Sequence, residues 1–172
     1  MQMRNTRVGK LTFTAMIAAI YAAATLLLQP VSFGTLQFRA AEALTLLPLI
    51  FPEAIAGTAI GCAISNAIGV ATGANVCGVL DIFFGTAATL LAAVATRLLR
   101  NVKWLGMPVL SALMPVVFNA LIIGGELSVV LGIPFWLCAL EVAGGEAVVV
   151  FILGLPLIKL LKKVFEKHSE QQ

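Results

Sequence analysis

The side chains that could do chemistry in this chain are few and stand in apolar surroundings. They are the acids Glu42, Asp81, Glu126, Glu141 and Glu146, the amides Asn66 and Asn119, and one arginine, Arg39. No nucleophile–base constellation accompanies them, so no catalytic residue is assigned. His168 is the only histidine and lies in the polar tail, and no His/Cys spacing suits a metal ion. No Gly-x-x-x-x-Gly-Lys-Ser/Thr loop is present, so any ATP-driven work has to come from another subunit. What these residues can do is recognise a ligand. A carboxylate accepts two parallel N–H donors in a fork. Several acids set against one arginine therefore suit a small molecule rich in donors or carrying positive charge.

The elements that position them follow from composition. Of 172 residues, 60% are hydrophobic and only 11% charged, with a mean hydropathy of +1.05. Soluble domains carry roughly 25% charged residues. Such a chain cannot hide its apolar surface in water, which excludes a soluble globular domain, a disordered chain and a disulfide scaffold. A pI near 9.0 does not make it a nucleic-acid binder, because the basic residues are few and sit at the chain ends and in one loop. The composition predicts an all-α integral membrane protein. It is read as a single transmembrane domain over 1–172, with a basic flank at 1–10 and a polar cytoplasmic tail at 162–172.

At about 20 residues per crossing, about six spans fit. Proline, glycine and single acids divide the chain at about 11–30, 40–51, 53–72, 78–100, 107–131 and 134–161. The second segment is short, and Pro48 and Pro52 predict that it is kinked or only partly buried. A cleaved signal peptide is the competing reading of the start, but the run Leu11 to Leu28 is too long and no polar mature domain follows.

Basic residues form three clusters: Arg4, Arg7 and Lys10; Arg97, Arg100 and Lys103; and Lys159, Lys162, Lys163 and Lys167. Positive flanks stay cytoplasmic. Placing all three inside predicts six transmembrane helices with both termini cytoplasmic. In that topology Arg39, Glu42, Asn66, Asp81, Glu126 and Glu141 fall in the outer half, with Asn119 and Glu146 nearer the middle. Intramembrane charges mark functional sites by default, so the expectation is an outward-facing acidic pocket.

Plainer readings compete with it. Arg39 and Glu42, three apart, could pair on a helix surface. Asp81 and Glu53 could complement helix N-termini. Phe33, Phe38, Phe135 and Trp136 could stack on a flat ligand or form an interfacial belt, the simpler reading for the phenylalanines. Cys62, Cys77 and Cys138 read as small buried hydrophobes. In the first helix, Ala15, Ala19 and Ala23 recur every four residues. Small residues at that spacing serve internal packing or a smooth docking face for a partner membrane protein.

Several runs together resemble the QueT family of queuosine-precursor transporters. They are Ser32-Phe33-Gly34, Gln37-Phe38-Arg39-Ala40-Ala41-Glu42-Ala43-Leu44, Leu47-Pro48 and Phe51-Pro52-Glu53-Ala54. Gly61-Cys62 with Asn66, the run Asp81 to Leu90, Pro115 with Asn119-Ala120, and Gly145-Glu146 continue the match. Ala41 stands where the family more often has serine, which removes one hydroxyl. The resemblance implies the substrate-binding S component of an energy-coupling-factor importer in a prokaryotic cell membrane. It further implies an alanine-rich first helix docked on a scaffold transmembrane subunit, two ATPase subunits, no cofactor of its own, and a 7-deazaguanine cargo: the nitrile base, the aminomethyl base or queuine. Such a base offers two adjacent N–H donors to one carboxylate and an acceptor oxygen to Arg39, Gln37 or an asparagine. An aminomethyl group adds a cation and demands a second acid. On these grounds substrate contacts are expected from Arg39, Glu42, Asn66, Asp81, Asn119, Glu126, Trp136, Glu141 and Glu146. The alternatives are an S component for another vitamin-like heterocycle, a stand-alone secondary transporter of a small cationic solute, or a structural membrane subunit.

Overall fold

The computed structural model describes residues 6–34, 37–102, 104 and 106–169, with the backbone alone for 166–169. Arg4 and Lys103 lie outside the described residues, as do the side chains of Lys167 and His168. Every element among the described residues is helical. The chain runs through α1 (Arg7–Leu27), a single turn α2 (Gln29–Ser32), a 3₁₀ segment (Ala40–Leu49), α3 (Ala54–Ala71), α4 (Leu80–Leu98), α5 (Val109–Leu131) and α6 (Phe135–Val148), then a π segment (Val149–Gly154) and α7 (Leu155–Ser169).

Four of these, α1, α3, α4 and α5, are long and apolar enough to cross a membrane. Their outward faces are lined by side chains such as Leu27, Ile64, Phe83, Leu121 and Val129. Their interior carries the charges, the reverse of a soluble protein and the arrangement that lipid demands.

The second expected segment takes the tighter 3₁₀ form, with Pro48 inside it. Its ten residues are long for that geometry, and Leu46, Leu47 and Ala43 are buried against neighbours on several sides. The last expected segment is interrupted. The backbone stays right-handed helical through Val148, Val149 and Leu155, so α6, the π segment and α7 continue one another. The widened π turn packs on the 3₁₀ segment, where a Cβ on Gly154 would meet Leu46 Cδ1 at 2.9 Å.

Close backbone approach fixes the rest. On α3, a Cβ on Gly57 would meet Ile17, and one on Gly61 would lie 2.7 Å from Ala18 O and from Tyr21 Cβ. Ala18 and Ala22 of α1 are buried in this seam, while Ala15, Ala19 and Ala23 remain exposed on the other side of the helix. On α5, Gly124 lies against the Ala139 backbone of α6. Pro115 lacks an N–H and so leaves the Ser111 carbonyl without its helical donor. The Thr96 hydroxyl of α4 donates to that carbonyl at 3.1 Å, tying α4 to α5. Phe51 stacks edge-on with Phe13 of α1 at 5.1 Å and with Phe165 of α7 at 5.3 Å, joining the two ends of the chain.

Candidate functional site: a buried polar cluster around Arg39

Arg39 lies between α2 and the 3₁₀ segment and is buried. Its Nη2 donates to Asp81 Oδ2 at 3.2 Å and to Gln37 Oε1 at 3.1 Å. Its Nη1 reaches Cys62 Sγ at 3.4 Å, and the guanidinium stands 5.6 Å from the centre of the Phe33 ring. Gln37 has φ of +47°. A non-glycine residue there is strained by about 1–2 kcal/mol, and in return its carboxamide bonds to the guanidinium.

Asp81 is held from three elements. Arg39 and Asn75 donate to its Oδ2, the latter at 2.8 Å, and Asn66 of α3 donates to its carbonyl at 2.6 Å. Gly85, one turn on along α4, leaves room for this knot: a Cβ there would run into Asp81 Oδ1 and lie 2.6 Å from Asn66 Nδ2. Asp81 stands in the first turn of α4, where an acid complements the helix N-terminus, and its carboxylate is also engaged in the ion pair with Arg39. Glu53 stands at the N-cap of α3 and its side chain makes no capping bond.

Glu42 does not pair with Arg39, three residues before it. Its Oε1 accepts hydrogen bonds from the Tyr21 hydroxyl of α1 and from Thr89 of α4, the latter at 3.0 Å. Asn119 of α5 approaches the same carboxylate while its amide donates to Pro115 O at 3.1 Å. Glu146 of α6 is buried and close enough to Glu42 for their charges to interact. Glu126 of α5 neighbours the Cys77 thiol, yet neither carboxylate oxygen has a hydrogen-bond partner of normal geometry. Cys77 lies in the α3–α4 connection, where burial and then the nearby Glu126 and Asp81 push its thiol up to about 12.

The structure thus gathers Arg39, Glu42, Asn66, Asp81, Asn119, Glu126 and Glu146 into the interior. It does not gather Glu141 and Trp136, which are exposed on α6. Phe33 leaves the expected interfacial belt altogether: it is buried over Gly69 and under the arginine. All three cysteines are buried, as expected, and Cys62 additionally accepts from Arg39. Tyr21, Thr89 and Asn75 were not foreseen. Tyr21 carries a signal in hindsight, being the only tyrosine in the chain and set mid-helix among alanines, where its hydroxyl needs a partner.

Within the protein itself the polar demand of this interior is only partly met. Buried atoms without a hydrogen-bond partner include Glu42 Oε2, Asp81 Oδ1, Glu146 Oε2 and both oxygens of Glu126, and the donors Gln37 Nε2 and Arg39 Nε. Each such group costs about 1–3 kcal/mol unless something satisfies it. One open cleft of about 500 Å³ reaches this region between α4 and α5; it is lined by Phe84, Ile122 and Val129 and has Glu126 as its acid. A second, of about 570 Å³ beside Phe151, Pro156 and Lys159, contains none of the buried acids.

A family model described as QueT transporter matches residues 11–163. The chain belongs to the QueT transporter family. No curated protein and no solved structure matches it. Membership in QueT makes this a membrane-embedded transport protein acting on a small molecule, and a transporter rather than a catalyst.

Proposed function

We propose that this chain is the substrate-binding S component of an ATP-driven energy-coupling-factor importer, and that its cargo is a queuosine precursor of the 7-deazaguanine type. The carrying observation is the buried excess of carboxylates, with unpartnered oxygens, around a single arginine. Beyond the neighbouring Cys77 thiol, the oxygens of Glu126 have no hydrogen-bond partner of normal geometry, which suits them to the adjacent N–H donors of the base. Arg39 Nε and Gln37 Nε2 are donors in want of an acceptor, which the base oxygen supplies.

In this reading the whole chain is one transmembrane domain in a prokaryotic cell membrane, with six crossings and both termini cytoplasmic. The 3₁₀ segment and the run α6–π–α7 are the second and sixth crossings. Ala15, Ala19 and Ala23, exposed along α1, form the face that docks on the scaffold transmembrane subunit, and two ATPase subunits supply the work.

The direct test is mass spectrometry of the small molecule that co-purifies with the protein, followed by titration with the nitrile and aminomethyl bases. A deazaguanine in the purified protein is the expected result; an unrelated heterocycle would keep the transporter class and change the cargo. Buried Glu146 favours one other mechanism, a stand-alone carrier coupled to protons. It predicts uptake that persists without the ATPase subunits, whereas the importer reading predicts that uptake stops.

A further inference from the structure

The cleft of about 570 Å³ lies at the end of the bundle where α4 closes on Arg97 and Arg100 follows. One wall is the connection from α4 to α5, at Gly106 to Pro108; the other is the π segment and the start of α7, from Phe151 to Lys162. The first wall is fixed by its own backbone. Trp104 N–H donates to Met107 O at 2.9 Å, and Met107 N–H donates back to Trp104 O at 3.0 Å. Gly106 closes this turn with φ of +77°, which favours glycine. The second wall is set by the widened helix. Leu155 N–H donates five residues back, to Val150 O, and Pro156 follows with no N–H to give.

The lining divides by chemistry. Met107, Pro108, Phe151 and Leu155 are apolar, whereas Lys159 and Lys162, three apart and so on one side of α7, bring two positive charges. Both lysines are exposed, and neither is ion-paired with a described side chain. No acid lines the cleft among the described residues. The cleft therefore does not suit the donor-rich or cationic cargo that suits the buried acids. In a bilayer its apolar part meets hydrocarbon, while lysines near helix ends reach for the headgroup layer. Trp104, exposed in the same connection, is the residue type that settles at that level. An amphiphile with an anionic head satisfies both parts of the lining at once, and basic pockets between transmembrane helices do bind such heads.

We propose that this cleft is a binding site for one anionic phospholipid, whose phosphate lies at Lys159 and Lys162 and whose acyl chain runs along Met107, Phe151 and Leu155. The site is separate from the buried acids and does not depend on which base is carried. Its two walls come from distant parts of the chain, so the lipid braces the α4–α5 connection against α7.

The experiment is native mass spectrometry of the purified full-length protein, offered equal amounts of phosphatidylglycerol and phosphatidylcholine with identical acyl chains. The ratio of the two lipids retained is the readout. One lysine near an anionic headgroup contributes about fivefold. Wild type should thus prefer the anionic lipid by about 25-fold, Lys159→Gln and Lys162→Gln by about fivefold each, and the double variant by less than about twofold. Lys163→Gln is the control: Lys163 is exposed on the same helix but does not line the cleft, so its ratio should stay within about twofold of wild type. Unchanged thermal unfolding in detergent without added lipid shows that each variant is folded.

Equal retention of the two lipids by wild type overturns the inference. So does an equal loss in Lys163→Gln, which would make the preference a diffuse attraction of a basic helix and not a site. Glycerol phosphate in large excess should leave the bound lipid in place; displacement would make this a site for soluble phosphate and end the lipid assignment. A double variant that keeps the lipid preference but no longer co-purifies with the scaffold subunit would give the cleft to a protein partner instead.

Discussion

At the scale of single residues, the arginine–aspartate pair is the point on which the interior depends. Removing one member of a buried pair strands the other charge and costs about 3–5 kcal/mol, whereas replacing both by apolar groups is close to neutral. Arg39→Met should therefore lower stability in detergent by about 3–5 kcal/mol, and adding Asp81→Leu should restore most of it. Equilibrium unfolding of the two single variants and the double variant reads this directly; additive losses would mean that the 3.2 Å contact carries no coupling. Glu141 is the contrasting case. It is exposed where Glu146 is buried, so Glu141→Gln should leave affinity within about twofold of wild type in titrations with the nitrile and aminomethyl bases.

The difference between those two acids also shows what a sequence can yield. Arg39, Glu42, Asn66, Asp81, Asn119, Glu126 and Glu146 were legible because a polar group is expensive in lipid, so its presence already argues for a buried partner. Counting residues along the axis gives depth but not azimuth. Glu141 and Glu146 are five apart, about 140° round the helix, and only one of them could face the cluster. Thr89 and Asn75 were illegible for the opposite reason: a hydroxyl can satisfy itself on its own helix, and an asparagine in a loop is ordinary.

At the scale of elements, the seam between α1 and α3 positions the site. Tyr21 and Ala18 of α1 sit directly on Gly61, and Tyr21 is what orients Glu42. A methyl at Gly61 would fall 2.7 Å from a backbone oxygen, which cannot rotate away. Gly61→Ala should therefore push α1 off α3, costing about 1–3 kcal/mol, and weaken ligand binding through Tyr21 although residue 61 touches no ligand. Tyr21→Phe separates the two effects, because it removes the hydroxyl and keeps the seam. A Gly61→Ala variant that binds and unfolds like wild type would show that the helices have slack there. On the opposite face of α1, Ala19→Leu should leave binding and stability unchanged and block capture by the scaffold subunit, as read by co-purification.

The element boundaries themselves were largely readable from prolines and glycines. The segments expected at 53–72, 78–100 and 107–131 correspond to Ala54–Ala71, Leu80–Leu98 and Val109–Leu131. The two segments with unusual geometry were located but not described. A 3₁₀ segment and a π segment differ from an α-helix only by one residue per hydrogen-bonded turn. What selects them is packing against each other, as at Gly154 on Leu46, and not a local signal in either stretch.

At the scale of the whole molecule, the basic residues and the helix count have to agree. Four long helices alone would also return both termini to one side, so locating the termini does not distinguish four crossings from six. The internal connections do. With six crossings the turn after α4, which follows Arg97 and Arg100, is cytoplasmic and the α3–α4 connection is external; with four, the two exchange sides. Positive flanks favour the first arrangement. Asn101 and Thr72 are exposed in these two connections, and the three native cysteines are buried, with the Cys77 thiol further suppressed by its raised pKa of about 12. A membrane-impermeant maleimide added to intact cells should accordingly label Thr72→Cys and not Asn101→Cys, and should label both once the membrane is opened. With the termini cytoplasmic, the reverse pattern would remove the 3₁₀ segment and the α6–π–α7 run from the list of crossings. It would also turn the end of the bundle that carries Asp81 and Glu126 toward the cytoplasm, where an importer's capture site cannot be.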